Sequence, residues 1–449
     1  MPVENGQEIA PETVPTSKSN SVFIDANRLR RLLDSNEKEN RWDKCSIYRV
    51  PCHLLLRNEK AYKPNLVSIG PIHHGEPQLS PMEEHKYRAL SQFLKRSKKN
   101  VDDFKASMKD CVQQLMESYE KLDEEWLDED KFLELMVLDG CFVLEILRVF
   151  TFDKSLGYSP NDPIFGARGT STVINILVQE IVMLENQLPF LVLEKLLAVE
   201  NRISTDSGKY LNDLLSIVGD DICTKDKPAA FSRLHIVDFL RNKIIGTPSE
   251  NNRPEIDTIG IESATEYKKA GIAFAENDSN FLSDIKLENN ILRLPVFEQC
   301  TFSEVIWFNV WAFECLHAGL TKDISAYICV MARLLRSTDD VAILHSNGLI
   351  SVTTFGENQE VVELFKSLYN CIDFRVRGDL LYVIMEVNAY HTRSTKKWKR
   401  RIREWSLHLK LTYFRSPWTV LSLFAATLLI GLTVWQTVYT TLSYYNPRS

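Results

Sequence analysis

The chain has 449 residues, 53 basic against 60 acidic side chains and a formal charge of −7, with 44% hydrophobic and 25% charged residues. This is a globular composition, and it excludes wholesale disorder, collagen and a coiled-coil rod. The length allows about three domains of roughly 150 residues, or one large helical domain with appendages, and supports a sizeable core.

Residues 1–20 are polar and carry Gly6, Pro2, Pro11 and Pro15. They read as a disordered lead, without the apolar stretch of a secretory signal. A first helix is predicted over 23–33. The stretch 47–75 holds Ile47-Tyr48-Arg49-Val50-Pro51, Pro64, Gly70-Pro71 and His73-His74-Gly75, a density of Pro and Gly that forbids a continuous helix. A helix over 80–98 has Ser80 as its cap, Pro81 at its first position and Glu83 at its third. Further helices are predicted over 102–122 and 129–150. After a Gly/Ser/Pro-rich loop at 157–169, the pattern over 173–199 is broken or kinked by Pro189.

Residues 220–230 and 246–260 read as polar loops around a helix at 235–242. Ile272 and Phe274, Ile285 and Leu287, and Ile291 and Leu294 alternate around Asn289-Asn290, predicting a small antiparallel hairpin or sheet. Helices resume over 302–316, 324–336, 342–349 and 361–369, and a long one starts at 379. The predicted class is mainly α: a large helical body over 40–392, a minor antiparallel β element and a C-terminal transmembrane helix.

That last expectation rests on the tail. Residues 393–449 hold ten basic side chains and one acid, Glu404, leaving 43 basic against 59 acidic side chains in residues 1–392. From 416 to 447 no residue is charged, and a helix over 416–440 is long enough to cross roughly 30 Å of hydrocarbon. Trp418, Leu428, Leu429, Ile430 and Trp435 mark the expected span, its two tryptophans lying near the interfaces. Just before it, Lys396, Lys397, Trp398, Lys399, Arg400, Arg401 and Trp405 predict a basic amphipathic helix over 393–415 that lies on anionic lipid. Eight Lys/Arg on that side against Arg448 beyond put the body in the cytosol of a single-pass, tail-anchored protein. The alternative is a buried core helix in a soluble domain.

Nine cysteines form no Cys-x-x-Cys pair, so zinc-ribbon and thioredoxin spacings are absent and the usage is that of a reducing compartment. No Gly-x-Gly-x-x-Gly, Walker-type or Gly-x-Ser-x-Gly motif occurs, which removes the usual warrant for nucleotide or α/β-hydrolase chemistry. Cys52-His53 is a weak nucleophile–base pair, since sequence neighbours point apart. His73-His74 could ligate a metal with help from His53, Glu76 or His85. The plainer reading has both imidazoles bonding loop carbonyls. His235 and Asp238 suit an ion pair or core contact better than a shared metal. Asp123–Glu125 and Asp128–Asp130 read as a solvated helix end, and Trp307–Phe313 as a core helix. The acidic body disfavours nucleic acid as a partner.

Taken together, Ile47–Pro51, Val67–Gly75, Met82-Glu83 with Lys86, Asp139-Gly140-Cys141-Phe142, Leu184–Phe190, Ala264–Tyr267 and Asn347-Gly348 resemble the plant family of domain of unknown function 247, also called uncharacterised protein family 0481. The resemblance covers about 40–440, with Ile72 and Leu191 as small departures. It implies a membrane-associated plant protein, some of whose relatives are linked to reproductive recognition, including self-incompatibility. It supplies no catalytic, metal or cofactor residues. The expected function is a non-enzymatic interaction or recognition module with a protein partner and membrane lipid. A hydrolase or metal-dependent enzyme built on the His73-His74 loop is the alternative.

Overall fold

The computed structural model describes residues 44–151, 156–200, 207–220, 234–247, 256–257, 260–279, 281–300, 302–352, 358–372, 375–376, 379–394 and 417–445. The chain divides into two compact units, Met1–Asp43 and Lys44–Ser449, and all described residues belong to the second. The disordered lead and the helix expected over 23–33 therefore lie outside the described residues.

The body is mainly helical with a minor β element, as the periodicity predicts. Its central helix, Glu129–Phe150, starts where the Asp128 carboxylate accepts the amides of Asp130 and Lys131, and it is buried on nearly all sides from Phe132 to Val149. Around it pack the helices Glu83–Ser97, Val101–Met108, Ile174–Ile181 and Phe190–Glu200. Gly140 permits the closest of these approaches: a Cβ there would lie 2.5 Å from Leu196 Cδ1 and 3.1 Å from Val192 Cγ1. Gly140→Val is expected to overpack this crossing and cost about 1–3 kcal/mol, read as a lower urea midpoint at unchanged slope.

The second pillar, Ser303–Leu316, buries Ile306 through Glu314 and packs on Glu59–Tyr62, Ile236–Ile245, Asp323–Leu334 and Asn358–Tyr369. Trp307 stacks on Tyr327 with ring centroids 5.3 Å apart, so the aromatic run is a core helix, as expected.

Three local expectations are refined. Ser80 is no cap: its hydroxyl donates to the Pro77 carbonyl at 2.9 Å, and a 3-10 turn, Ser80–Met82, leads into the helix. The single helix expected over 102–122 is interrupted by the 3-10 turn Lys109–Cys111, where the Cys111 thiol donates to the Met108 carbonyl and competes with the helical ladder. Pro189 does break its helix, into Ile174–Ile181 and Phe190–Glu200.

The hairpin Lys286–Glu288/Ile291–Leu294 turns through Asn289 and Asn290 at φ 49° and 66°, the left-handed pair a two-residue hairpin needs. Ala273–Glu276, expected in an antiparallel arrangement, pairs parallel to Ile291–Leu294. The hairpin occupies one edge of that strand, and the connection from Glu276 to Lys286 leaves only the far edge for it.

The C-terminal expectation is corrected. Among the described residues no helix is long and apolar enough to cross a membrane. The helix Pro417–Tyr445 has 29 residues, so length is not what fails. Ser422, Thr427, Thr433, Gln436, Thr437, Thr440 and Thr441 interrupt its apolar run, and the hydroxyls of Thr433, Thr437 and Thr441 bond back to carbonyls four residues earlier. Leu428, Leu429, Ile430 and Trp435, the expected span residues, are all exposed, and Trp418 lies in the same helix. The transmembrane helix, the tail anchor and the single-pass membrane location drawn from them are thereby overturned.

Candidate functional site

The motif-rich stretch 47–75 crosses the body as irregular backbone, with only the short helices Cys52–Leu55 and Glu59–Tyr62. Ile47, Val50, Val67 and Ile69 bury their side chains, which takes the neighbouring amides out of water, and each buried amide then needs an acceptor. Acceptors come from side chains distant in sequence. Glu180 takes the amides of Asn65, Leu66 and Val67 at 2.7–3.0 Å. Glu185 takes Val50 N at 2.5 Å, Asn186 takes Ile69 N at 2.6 Å and Asp139 takes Gly70 N at 2.8 Å. At Gly70, φ is +73° and a Cβ would stand 2.8 Å from the Gln187 carbonyl oxygen, so only glycine fits.

The donors of those carboxylates are as specific. Lys86 is fully buried and places its ammonium 2.8 Å from both Asp139 Oδ1 and Glu83 Oε1. Burial works against this charge, but Asp139 and Glu83 outweigh it and raise the pKa above the ordinary lysine value. The loop 182–189 is itself buried, and Gln187 Nε2 closes it by donating to the carbonyls of Ile181 and Met183 at 2.7 Å.

His73 sits in the same knot, with Nδ1 2.6 Å from Glu76 Oε1 and Nε2 2.8 Å from Glu185 Oε2. Burial lowers its pKa, but the two carboxylates more than reverse that, so the net shift is upward. A raised folded pKa means that the contact's contribution is complete below the unfolded value near 6.5 and is lost as pH rises through the folded one. His73→Gln is accordingly expected to cost about 2 kcal/mol at pH 6 and progressively less towards pH 9, measured by urea unfolding across that range.

The expectation that both imidazoles bond loop carbonyls is thus replaced. His73 binds two carboxylates, and His74 lies edge-on to Trp126 with ring centroids 5.0 Å apart and Nδ1 without a partner. Of the other metal-ligand candidates only Glu76 joins this pair. His53 is exposed on the Cys52–Leu55 helix, and His85 contacts Arg88. Among the described residues no group of three His, Cys, Asp or Glu side chains could hold a metal. Cys52 is exposed beside His53 and is a free cysteine. The expected membrane-surface residues Lys396, Lys397, Trp398, Lys399, Arg400, Arg401 and Trp405 lie outside the described residues.

Sequence reasoning missed Glu180, and it missed a second buried network. Arg148 bonds Glu200 at 2.5 Å and Glu145 at 3.1 Å, Arg96 pairs with the same two carboxylates, and Tyr158 donates to Glu145 at 2.7 Å. The available signal was Glu145 and Arg148 at i, i+3 inside an otherwise apolar helix.

Residues 47–432 match the model of a family, domain of unknown function 247, described as a plant protein of unknown function. The chain belongs to that family. Among its relatives is the UPF0481 protein At3g47200 of Arabidopsis thaliana, 30% identical over 93% of this chain and 90% of that protein. A second is the putative UPF0481 protein At3g02645 of the same plant, 22% identical over 86% of this chain and 88% of its own length. No solved structure matches the chain. Most of the residues that carry the family resemblance in the N-terminal half, Ile47–Pro51, Val67–Gly75, Lys86, Asp139 and Leu184–Phe190, converge on the one knot described above.

Proposed function

We propose that the chain is a non-enzymatic interaction module that recognises a protein partner through the surface of its helical body. One observation carries this reading: the carboxylates and the imidazole best suited to chemistry in the family-signature region are engaged in holding backbone amides or one another. A hydrolytic site there would require His73 to release Glu76 or Glu185, and the buried Glu185 carboxylate would then lose its charged partner and keep the Val50 amide as donor. The signature then specifies a fold, and selectivity lies on the exposed surface.

The test begins with photo-crosslinking from exposed positions of the body in plant tissue, then reconstitutes the recovered pair from purified components. A defined stoichiometric complex is the expected result. Turnover of ester, peptide or phosphate substrates by the purified chain, or stoichiometric metal, lost in His73→Ala and His74→Ala, would overturn the reading.

A further inference from the structure

Away from the signature knot, the Cys52–Leu55 helix, the end of Ser303–Leu316, the start of Asp323–Leu334 and residues 371–372 enclose a cavity of about 410 Å³. That volume falls within the roughly 300–1,000 Å³ of small-molecule sites. Leu54, Leu316 and Ile372 give it apolar walls, while His53 and Lys322 supply cationic or donor groups. Among the described residues no Asp or Glu lines it, although acids outnumber bases in the chain.

Its polar groups offer donors. Lys322 spends one N–H on the Glu314 carbonyl at 2.6 Å and has no carboxylate partner among the described residues, so its remaining N–H groups are available. Trp311, only 2% exposed, forms part of the wall, and its indole Nε1 has no hydrogen-bond partner among the described residues. Arg57 stands beside Cys371, another wall residue, and is exposed. Burial pushes the Cys315 thiol up to about 11, so at neutral pH it is a mostly protonated wall atom that alkylates slowly.

We infer that this cavity binds a small amphipathic monoanion, an aliphatic or aromatic carboxylate whose apolar part fills the Leu54–Leu316–Ile372 side and whose anionic head meets Lys322. A neutral apolar ligand would leave the ammonium without a counter-charge. A cation would meet Lys322, and no carboxylate among the described lining residues would hold it. The inference is independent of the protein-partner reading above, because the cavity shares with the knot only Pro51, which makes none of its charged contacts.

Titration of the full chain with decanoate by calorimetry tests it. Saturable one-to-one binding is expected, weakened about tenfold by Lys322→Gln and about tenfold when decanol replaces decanoate, as loss of one charge-assisted contact implies. Cys315→Phe, at a position exposed to the cavity mouth, should abolish binding without lowering the melting temperature. Decanoate should also slow alkylation of Cys315 by iodoacetamide while leaving exposed Cys52 unaffected, read by peptide mapping. If Lys322→Gln does not fold, the Cys315→Phe and alkylation arms decide. Binding that does not saturate, or that persists in Cys315→Phe with Cys315 unprotected, overturns the assignment.

Discussion

Asp139→Ala is expected to destabilise the protein by about 3–5 kcal/mol, among the largest effects any single truncation should produce here. Both Asp139 and Lys86 are fully buried, and Asp139 serves two donors at once, the Lys86 ammonium and the Gly70 amide. Removing it leaves an ammonium in the core with Glu83 and a hydroxyl contact to Ser68, and takes the acceptor from the Gly70 N–H. The penalty comes from a buried ammonium left with Glu83 as its carboxylate partner and from the stranded amide, rather than from the lost attraction, so the two sides of the pair should not behave additively. Lys86→Met alone strands the opposite charge and should cost a similar amount. The double variant Lys86→Met/Asp139→Ala should cost less than the sum of the single losses. Urea unfolding at pH 7 gives all of these numbers, and additive single losses would mean that the pair is not coupled. Proteolysis provides a second readout, since Asp139→Ala should open the 47–75 stretch to cleavage before the rest of the body.

This dependence on long-range acceptors explains what the sequence could and could not convey. The helix Glu129–Phe150 was legible to the residue, because Asp128 announces its start and apolar periodicity fills its length. The Asn289-Asn290 turn was legible for the same local reason, since its conformation is set by the two residues themselves. The irregular character of 47–75 was legible too, through its prolines and glycines, but its partners were not. Glu180 and Asn186 lie more than a hundred residues from the amides they accept, and no local pattern reports such a pairing. Tail hydrophobicity misled in the opposite direction. A long uncharged run suggests a span, whereas threonines and Gln436 interrupt the apolar run of the helix it forms. Ser80 shows the same limit on a smaller scale: the capping pattern was present, but buried Lys86 claims the Glu83 carboxylate that a capping box would use.

The pair His235 and Asp238 gives the second large effect, and it appears only when one member is removed. His235 caps the Ile236–Ile245 helix: its Nδ1 accepts the Asp238 amide at 3.3 Å, and its Nε2 carries the proton donated to the Ser46 carbonyl at 2.9 Å. Desolvation lowers the His235 pKa to about 3. Burial raises that of Asp238 to about 6, although the Leu234 amide and Arg241 oppose the shift. As pH falls from 6 to 4, the unfolded chain protonates its histidine and the folded chain does not, which removes stability. Over the same interval the folded chain holds an Asp238 proton that the unfolded chain has released, which adds stability. The two slopes are opposite in sign and nearly equal, so this pair contributes little net pH dependence in the native protein. Asp238→Asn keeps the acceptor for Leu234 N and removes one slope. Relative to the native chain it should lose about 1.4 kcal/mol per pH unit between pH 6 and 4. His235→Asn, which retains a capping oxygen, should show the mirror image and become relatively more stable on acidification. Urea midpoints at pH 4, 5, 6 and 7 for the three proteins measure this directly, with all other titrating groups common to each comparison. Parallel curves for native chain and Asp238→Asn would mean that the folded protein keeps Asp238 ionised, and that His235 alone sets the acid limb.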